Sequence, residues 1–342
     1  MKKGNIFGTH RVIEPMGVLP QAATKIDNSM ELADNEMLIE VDTLNIDSAS
    51  FTQIKKACNA DITKMEAMIL DIVNTKGKMQ NPVTGSGGML LGYVKSVGPN
   101  FSTDVVIGAK IATLVSLSLT PLQIDEIVSI NLDTDQVKIK GEAILFESGI
   151  FAEIPKDMDE LVALAALDVA GAPAQVDKLV KTGDDVVIIG AAGKSGILCA
   201  YQARMSAGDN GKVVAVVNEE SQIAFLEEHG VCDEIVLADA TNAIEVYEKV
   251  KEVLPHLADV TINVVNVANT EMASILSTKD DGKVYFFSMA TSFTKAALGA
   301  EGVKKDVEMI IGNGYTKGHA KFTLELVKTV QPLLELFERK YI

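Results

Sequence analysis

The sequence predicts a two-domain α/β protein, in which a β-rich domain accompanies a doubly wound parallel sheet. The length of 342 residues exceeds what one ordinary hydrophobic core holds. Up to about residue 150, β-branched runs are punctuated by glycine; from about residue 155, short apolar runs alternate with amphipathic stretches. The second rhythm is typical of a parallel sheet that helices cover on both faces.

The first half is predicted to consist mainly of strands. In residues 37–44, apolar side chains alternate toward one face that is predicted to be buried. The runs 90–97 and 105–115 are rich in β-branched residues. Over residues 61–73, apolar side chains recur at helical spacing instead. A short helix is therefore predicted to interrupt the strands.

The second half is predicted to alternate strands and helices to the end of the chain. The predicted strands span residues 186–189, 213–217, 234–237, 260–265, 284–287 and 308–311. The predicted helices span residues 195–207, 221–229, 243–254 and 322–341.

Composition excludes several classes of partner. The formal net charge of −16 opposes nucleic-acid binding, which needs a basic surface. The two lysines at the start precede no apolar run, and no stretch approaches the roughly 20 apolar residues of a membrane span. Cys58, Cys199 and Cys232 are too far apart for a CxxC metal site or a disulfide framework. We expect a cytoplasmic protein without nucleic-acid or membrane partners.

One motif carries most of the functional information. The apolar run 186–189 leads directly into the segment GAAGKSG at 190–196. A buried strand that ends in such a turn and opens a helix gathers backbone N–H groups and the positive helix end at one point, which binds pyrophosphate. The alternative is an α/β domain with an ordinary tight turn. The predicted ligands of a Rossmann-type dinucleotide site are Gly190, Ala192, Gly193, Lys194, Ser195 and Gly196.

The end of the next strand selects between NAD and NADP. An acidic residue there pairs with the ribose hydroxyls and repels a 2′-phosphate. Asn218 holds this position, Glu219 and Glu220 follow it, and no Arg or Lys is adjacent. The pattern favours NAD and leaves NADP open, with Asn218 and Glu219 as candidate ribose ligands.

Around this motif, the chain resembles the medium-chain dehydrogenase/reductase superfamily. Residues 183–190 are similar to the family's approach to its dinucleotide turn, and the Gly-x-x-Gly-x-x-Gly spacing to that of its zinc-free quinone-reductase branch. Residues 87–98 match the frame of its Gly-His-Glu-Gly-x-Gly-x-Val-x-x-Val-Gly element, and residues 108–111 its Gly-Asp-Arg-Val strand. The resemblance covers about residues 35–315 and implies a GroES-like catalytic domain beside the Rossmann domain.

The chain departs from the zinc alcohol dehydrogenases of that superfamily at the metal positions. Gly88 and Met89 stand where those enzymes have a metal-binding His and its neighbouring Glu. Residues 44–48 and 166–169 stand near their cysteine ligands. Because Gly and Met cannot replace imidazole and thiolate ligands, we expect no zinc.

Three segments, 8–15, 81–89 and 286–291, carry a narrower likeness to amine dehydrogenases of anaerobic lysine fermentation. This likeness implies NAD(P)-linked oxidative deamination at C3 of a small diamino acid, 3,5-diaminohexanoate, giving 5-amino-3-oxohexanoate and ammonia. Ser288, in the last segment, is a further candidate cofactor ligand.

If this likeness holds, a carboxylate is needed to hold the substrate ammonium and accept its proton. Asp47 and Asp168 stand, by sequence match, where the zinc enzymes hold their metal, and are predicted to replace its charge. Arg11 is a candidate for the substrate carboxylate and Glu14 for the second ammonium. Structural alternatives stay open. Asp47 could cap a turn, Asp168 could pair with Lys178 or face solvent, and the N-terminal pair could only tether its segment.

The predicted domains are residues 1–154 plus 316–342, β-rich and catalytic, and residues 155–315, the Rossmann domain. The active site is expected at the carboxyl ends of the parallel strands, and the superfamily resemblance implies a homodimer. Two other functions stay open: a zinc-free quinone or enoyl reductase, which would act on an uncharged conjugated carbonyl, and a dinucleotide-binding sensor without catalysis.

Overall fold

The computed structural model describes residues 1–288, 290–312 and 314–342. The chain divides into two compact units, Met1–Asp157 and Met158–Ile342. Met289, which belongs to the segment 286–291 singled out above, lies outside the described residues. In the described ranges, no helix combines the length and the apolar character needed to cross a membrane.

The first unit is built on an antiparallel sheet. Its strands are β1 (Val12–Glu14), β2 (Lys25–Ile26), β3 (Glu36–Asn45), β4 (Met89–Val97), β5 (Lys110–Thr113), β6 (Leu122–Asn131), β7 (Gln136–Phe146) and β8 (Phe151–Glu153). Its helices are α1 (Ser48–Ala57) and α2 (Ile62–Lys76). The main sheet has the order β6-β7-β3-β4-β5-β8, while β1 and β2 pair separately.

The sequence predicted part of this unit. The helix expected over 61–73 is α2, which Asp61 caps by accepting from the backbone N–H of Lys64 at 3.2 Å. Strands β3 and β4 also lie where they were predicted. Only Lys110–Thr113 of the predicted run 105–115 is a strand, and α1, β6 and β7 were not predicted.

A buried ion pair joins the N-terminal segment to β3. Arg11 is 3% exposed, and Glu36 is fully buried. Nε and Nη2 of Arg11 donate to the two carboxylate oxygens of Glu36 at 2.6 and 2.7 Å. The remaining guanidinium hydrogens donate to the carbonyls of Asp27, Ser29 and Glu31. All five N–H donors of the guanidinium are therefore engaged inside this unit.

Glu36 is held in its ionised form. Burial by itself would raise the pKa of Glu36, but hydrogen bonds from Arg11 and from the backbone N–H of Ala33 lower it below its ordinary value of 4.5. His10 adds a further contact, with Nε2 lying 2.9 Å from Oε1 of Glu36. The pair is thus a charged one at neutral pH.

The second unit is a parallel sheet with helices. Its strands are β9 (Val186–Ile189), β10 (Val213–Val217), β11 (Glu234–Leu237), β12 (Ala258–Asn263), β13 (Thr278–Phe286) and β14 (Val307–Ile311). Its helices are α3 (Glu160–Leu167), α4 (Gly171–Leu179), α5 (Lys194–Ala207), α6 (Glu220–His229), α7 (Ala243–Val253), α8 (Glu271–Ser277), α9 (Phe293–Gly302), α10 (His319–Thr329) and α11 (Gln331–Tyr341).

The strand order is β11-β10-β9-β12-β13-β14. The chain therefore winds outward from β9 in one direction and then, from β12, in the other. Open sheets of this kind bind ligands outside the carboxyl ends of the strands where the winding reverses. In this unit the reversal lies between β9 and β12, which confirms the predicted doubly wound fold.

The end of the chain differs from its prediction. Residues 316–342 were assigned to the β-rich domain, but α10 and α11 lie in the second unit, where the hydroxyl of Thr323 donates to the carbonyl of Ala170 at 2.9 Å. The helix predicted over 322–341 is two helices that meet at Val330. Pro332 explains the break, because it has no N–H to continue the helix and its ring clashes with the preceding turn.

Glu36→Gln should strongly destabilise the protein, because it leaves Arg11 buried without a counter-ion. Removing one partner of a buried pair costs about 3–5 kcal/mol in the free energy of unfolding. The pKa of Glu36 is lower in the folded protein than the ordinary value of 4.5. The stability that its charge contributes is therefore present above pH 4.5 and is lost as the pH falls through the lower pKa of the folded state. In urea unfolding, the difference from the unsubstituted protein should be full at pH 7 and shrink below pH 4.5.

Glu142→Gln is the matched control. Glu142 pairs with Lys95, whose side chain is 52% exposed, and an exposed pair contributes at most about 1 kcal/mol. Equal losses in the two variants, or a loss in Glu36→Gln that does not depend on pH, would contradict the buried charge pair.

Candidate dinucleotide and substrate sites

The glycine turn after β9 leaves space for a ligand. Gly190 has a φ of +88°, a backbone conformation that favours glycine. A Cβ on Gly196 would lie 2.1 Å from the carbonyl oxygen of Gly190, so α5 packs directly on the turn. A Cβ on Gly193 would meet only that same oxygen, at 3.4 Å. The fold needs glycine at 190 and 196, whereas the open space at Gly193 permits close approach of phosphates.

The N-terminus of α5 faces the same space. Gly193 is the N-cap residue and has no side chain with which to cap the first N–H groups of α5. Gly193 is exposed, and Ala192, Lys194 and Ser195 are half-buried. Free N–H groups at the positive end of a helix dipole bind anions. The residues predicted to hold a pyrophosphate therefore lie together at one helix end.

A groove of about 120 Å³ continues from this turn along the carboxyl ends of β10 and β11. It is lined by Ile189, Gly190, Val216, Val217, Asn218, Ala238, Asp239, Ala240, Thr241, Val265 and Val267. None of these lining residues, all of them within the described part of the chain, is a Lys or Arg. Asn218 and Glu219 are exposed at the end of β10, where the ribose was predicted to bind.

A buried amide holds the loop after β12 beside the turn. Nδ2 of Asn263 donates to the hydroxyls of Thr270 and Ser274, both at 2.9 Å, and Oδ1 accepts from the backbone N–H of Val265 at 3.1 Å. A Cβ on Gly190 would lie 2.5 Å from Cγ2 of Val265. The loop is therefore fixed against the first glycine of the motif.

Ser288 follows β13, at the same edge of the sheet. It is half-buried, and its Oγ accepts from the backbone N–H of Ala290 at 3.1 Å. Its predicted role as a cofactor ligand stays a prediction.

Asp168 pairs with a lysine of the dinucleotide turn. Its Oδ2 accepts from Nζ of Lys194 at 2.5 Å. Lys194 therefore balances the charge of Asp168, rather than Lys178 or solvent alone. Nζ of Lys194 also lies 6.0 Å from the ring centre of Tyr341. Burial, with a smaller effect of the Asp168 charge, raises the pKa of Tyr341 to about 12. The structure thus places Asp168 beside the dinucleotide turn and pairs it there with a cation.

Asp47 caps α1 with one oxygen and leaves the other unpaired. Oδ1 accepts from the backbone N–H of Ser50 at 2.9 Å, the capping role that the sequence had left open. Oδ2 is buried, and we find no hydrogen-bond partner for it among the described residues. A buried carboxylate oxygen without a donor is costly, so this atom calls for a donor that is not part of the chain.

A polar loop lies beside this carboxylate. The hydroxyls of Ser50 and Thr84 are 2.6 Å apart. Oδ1 of Asn81, a fully buried residue, accepts from the backbone N–H groups of Val83 and Thr84. The loop belongs to the segment 81–89, which carried part of the narrower likeness, and its conformation is set by Asn81.

Gly88 cannot carry a longer side chain. Its φ is +91°, and a Cβ on it would lie 2.1 Å from the carbonyl oxygen of Asn45. Position 88, which the superfamily resemblance matched to a zinc-binding His, is closed by the protein's own backbone. Across the described ranges, no group of three or more His, Cys, Asp or Glu is arranged to hold a metal ion.

The two N-terminal candidates have other surroundings. Arg11 has no donor left for a substrate carboxylate, because Glu36 and three carbonyls take all of them. The side chain of Glu14 is exposed, and its backbone carbonyl accepts from the N–H and hydroxyl of Thr24. Arg11 thus serves as a tether of the N-terminal segment, and neither residue enters the site proposed below.

Two residues with special surroundings were not predicted. Nζ of Lys78, a fully buried residue, donates to the carbonyl of Pro20 at 2.6 Å, and burial lowers its pKa to about 8. The sequence offers no signal for this, since a Lys beside Lys76 suggests a solvated turn. Asp239 lies two residues beyond the end of β11, at the groove. Its position after an apolar parallel strand was a usable signal.

Comparison with known proteins relates both halves of the chain to one enzyme. Residues 10–155 match the family model of the L-erythro-3,5-diaminohexanoate dehydrogenase N-terminal domain. The chain is 58% identical to the L-erythro-3,5-diaminohexanoate dehydrogenase of Acetoanaerobium sticklandii over 343 residues, 99% of this chain and 100% of the relative. It is also 58% identical to that of Fusobacterium nucleatum subsp. nucleatum over 345 residues, 100% of each chain.

Solved structures share the fold at much lower identity. A 2-haloacrylate reductase superposes with a TM-score of 0.54 at 17% identity, over 86% of this chain and 80% of its own. A mycobacterial protein complexed with NADPH superposes with a TM-score of 0.52 at 17% identity, over 90% and 81%. These likenesses show the fold alone and confirm the predicted combination of a parallel and an antiparallel sheet. Identity of 58% along essentially the whole chain shows more: this oxidoreductase belongs to the L-erythro-3,5-diaminohexanoate dehydrogenase family.

Proposed function

We propose that the protein catalyses the dinucleotide-dependent oxidative deamination of L-erythro-3,5-diaminohexanoate, in anaerobic lysine fermentation. The names of both relatives support this substrate. The observation that carries the chemistry is the buried, unpaired Oδ2 of Asp47. In the balanced reaction, the substrate, the oxidised cofactor and water give 5-amino-3-oxohexanoate, ammonium, the reduced cofactor and one proton.

The second unit fits a nicotinamide dinucleotide. The open space at Gly193 and the uncapped start of α5 suit a pyrophosphate. The groove along β10 and β11 suits the adenosine half, and Ser288 after β13 is the proposed contact for the nicotinamide half. NAD is the proposed preference, since Glu219 and Asp239 are acidic and no described lining residue supplies a cation for a 2′-phosphate.

Asp47 is proposed as the proton acceptor. The C3 ammonium of the substrate must lose a proton first, because its nitrogen needs a lone pair to form the C=N bond. Oδ2 of Asp47 accepts this proton, while Oδ1 stays anchored to the N–H of Ser50. A nicotinamide dinucleotide held at the turn after β9 would supply the acceptor for the hydride that leaves C3. Water then adds to the C=N carbon, and ammonia leaves.

A carboxylate suits this substrate better than a metal ion would. The zinc dehydrogenases need a cation to polarise an uncharged alcohol oxygen. A diamino acid brings its own positive charge, so the protein has to supply a negative one. Asp47 supplies it, in the same unit in which no side chain fits at position 88. Zinc-independent catalysis is therefore part of the proposal. A quinone or enoyl reductase, the alternative weighed above, would gain nothing from an unpaired carboxylate.

We further propose a cytoplasmic homodimer. Cys58, Cys199 and Cys232 are free thiols, which suits a reducing compartment. The acidic net charge of −16 supports a solvated surface without nucleic-acid partners. The dimer rests on the superfamily resemblance alone.

The reaction can be followed at 340 nm. With NAD and L-erythro-3,5-diaminohexanoate, absorbance should rise, and ammonia should form in a one-to-one ratio with the reduced cofactor. 5-Aminohexanoate is the matched control, since it lacks the 3-amino group and should give no rise. Reduction of a simple quinone by NADH or NADPH, with no response to the diamino acid, would contradict the proposed function.

Asp47→Asn should lower kcat about 100-fold or more, the usual contribution of a positioned proton acceptor. Asn still caps a helix well, so α1 should keep its start, and the Kd for NAD should not change. Asp61→Asn is the matched control, because Asp61 caps α2 in the same way. Near-normal turnover in Asp47→Asn, or an equal fall in the two variants, would remove Asp47 from this role.

A further inference from the structure

The groove in the second unit extends beyond the residues that the sequence assigned to the cofactor. From Gly190 it passes Asn218 at the end of β10 and reaches Asp239 and Thr241 after β11. Beyond the negative charge of Asp239, which disfavours a 2′-phosphate, neither of these two residues was assigned a role in cofactor binding. The role inferred for them rests on the proposed binding of a dinucleotide at the turn.

Sheet topology assigns the parts of the ligand to the strands. The pyrophosphate lies at the turn after the first strand of the sheet, and the adenosine ribose at the end of the second. Here these are β9 and β10, and β11 is the next strand outward. Neighbouring strands are about 4.8 Å apart, so the base, which continues outward from the ribose, would lie at the end of β11.

The groove walls at this end suit a flat ring. Val217 ends β10, Ala238 and Ala240 follow β11, and Val265 and Val267 belong to the loop after β12. All five side chains are apolar and small or branched, as in pockets that hold an aromatic base. Polar recognition must therefore come from the remaining groups at this end.

Asp239 is oriented for that recognition. Its Oδ1 accepts from the backbone N–H of Thr241 at 2.9 Å and from the Thr241 hydroxyl at 2.8 Å. These hydrogen bonds, the backbone one foremost, lower the pKa of Asp239. The carboxylate is thus ionised at neutral pH and can only accept hydrogen bonds. In the described chain we find no partner for its second oxygen.

We propose that Asp239 recognises the adenine base by accepting a hydrogen bond from its 6-amino group. Adenine offers an N–H donor at this position, whereas hypoxanthine offers a carbonyl oxygen, which an ionised carboxylate repels. The residue therefore determines which purine the site accepts. This hydrogen bond to the carboxylate also explains why an acidic residue stands in a groove that has to hold an anionic ligand.

The test compares the Kd of NAD with that of nicotinamide hypoxanthine dinucleotide by calorimetry. The unsubstituted protein should bind NAD about tenfold more tightly, the effect of one hydrogen bond to a charged group. Asp239→Asn keeps an oxygen for the Thr241 N–H, so the loop is retained. Because the amide can both donate and accept, the ratio of the two Kd values should fall close to one in this variant.

Asp184→Asn is the control, since Asp184 accepts from the backbone N–H of Lys181 at 2.8 Å in a similar exposed turn. It should leave the ratio unchanged. An unchanged ratio in Asp239→Asn, while NAD still binds, would overturn the role of Asp239 alone. If the unsubstituted protein binds neither dinucleotide, the proposed function and this inference are both overturned.

Discussion

The packing of α5 on the carbonyl oxygen of Gly190 fixes the geometry on which the dinucleotide site depends. Because no Cβ fits at Gly196, the helix starts directly against the end of β9. Its uncapped N–H groups and the positive end of its dipole then point into the open space at Gly193. The reversal of winding between β9 and β12 leaves this end of the sheet uncovered by a crossover. The remaining proposed cofactor contacts, from Asn218 to Asp239, are arranged outward from that turn.

The carboxylates of Glu36, Asp168 and Asp47 differ in the partners that their oxygens find. Glu36 has Arg11, and Asp168 has Lys194, so their charges are balanced inside the unit to which each belongs. Asp47 has one oxygen engaged in capping α1 and one with no described partner. A buried polar group that lacks a donor costs stability, so its retention is best explained by a function. This contrast singles out Asp47 among the four predicted catalytic residues.

The sequence predicted the parallel sheet well, because β9 and β10 are buried along their whole length and read as uninterrupted apolar runs. It did not predict β6, most of whose side chains are at least partly exposed, so that its apolar signal is diluted. The ten-residue helix α1 buries only Ser50, Phe51 and Ile54. One helix was predicted through Val330 because the helical spacing of apolar residues continues across Pro332. The prediction gave that spacing more weight than the proline, which breaks the helix.

Among the site residues too, local patterns could be predicted from the sequence, whereas contacts between distant residues could not. The backbone geometry of the turn at residues 190–196 could be predicted because the glycine spacing itself encodes it. The partner of Arg11 is 25 residues away along the chain and that of Asp168 is 26 residues away, and no local pattern reveals such pairs. Asp239 was within reach of the sequence, since it lies two residues after the predicted strand 234–237.

The most direct measurement is calorimetric titration of NAD into the protein and into Gly193→Val. A side chain at 193 meets only ordinary contact with the Gly190 oxygen, so the variant should fold and keep a melting temperature close to that of the unsubstituted protein. It should nevertheless fill the space that phosphates need and abolish NAD binding. If Gly193→Val binds NAD as tightly as the unsubstituted protein does, the turn is not the phosphate site, and the account of this enzyme is contradicted.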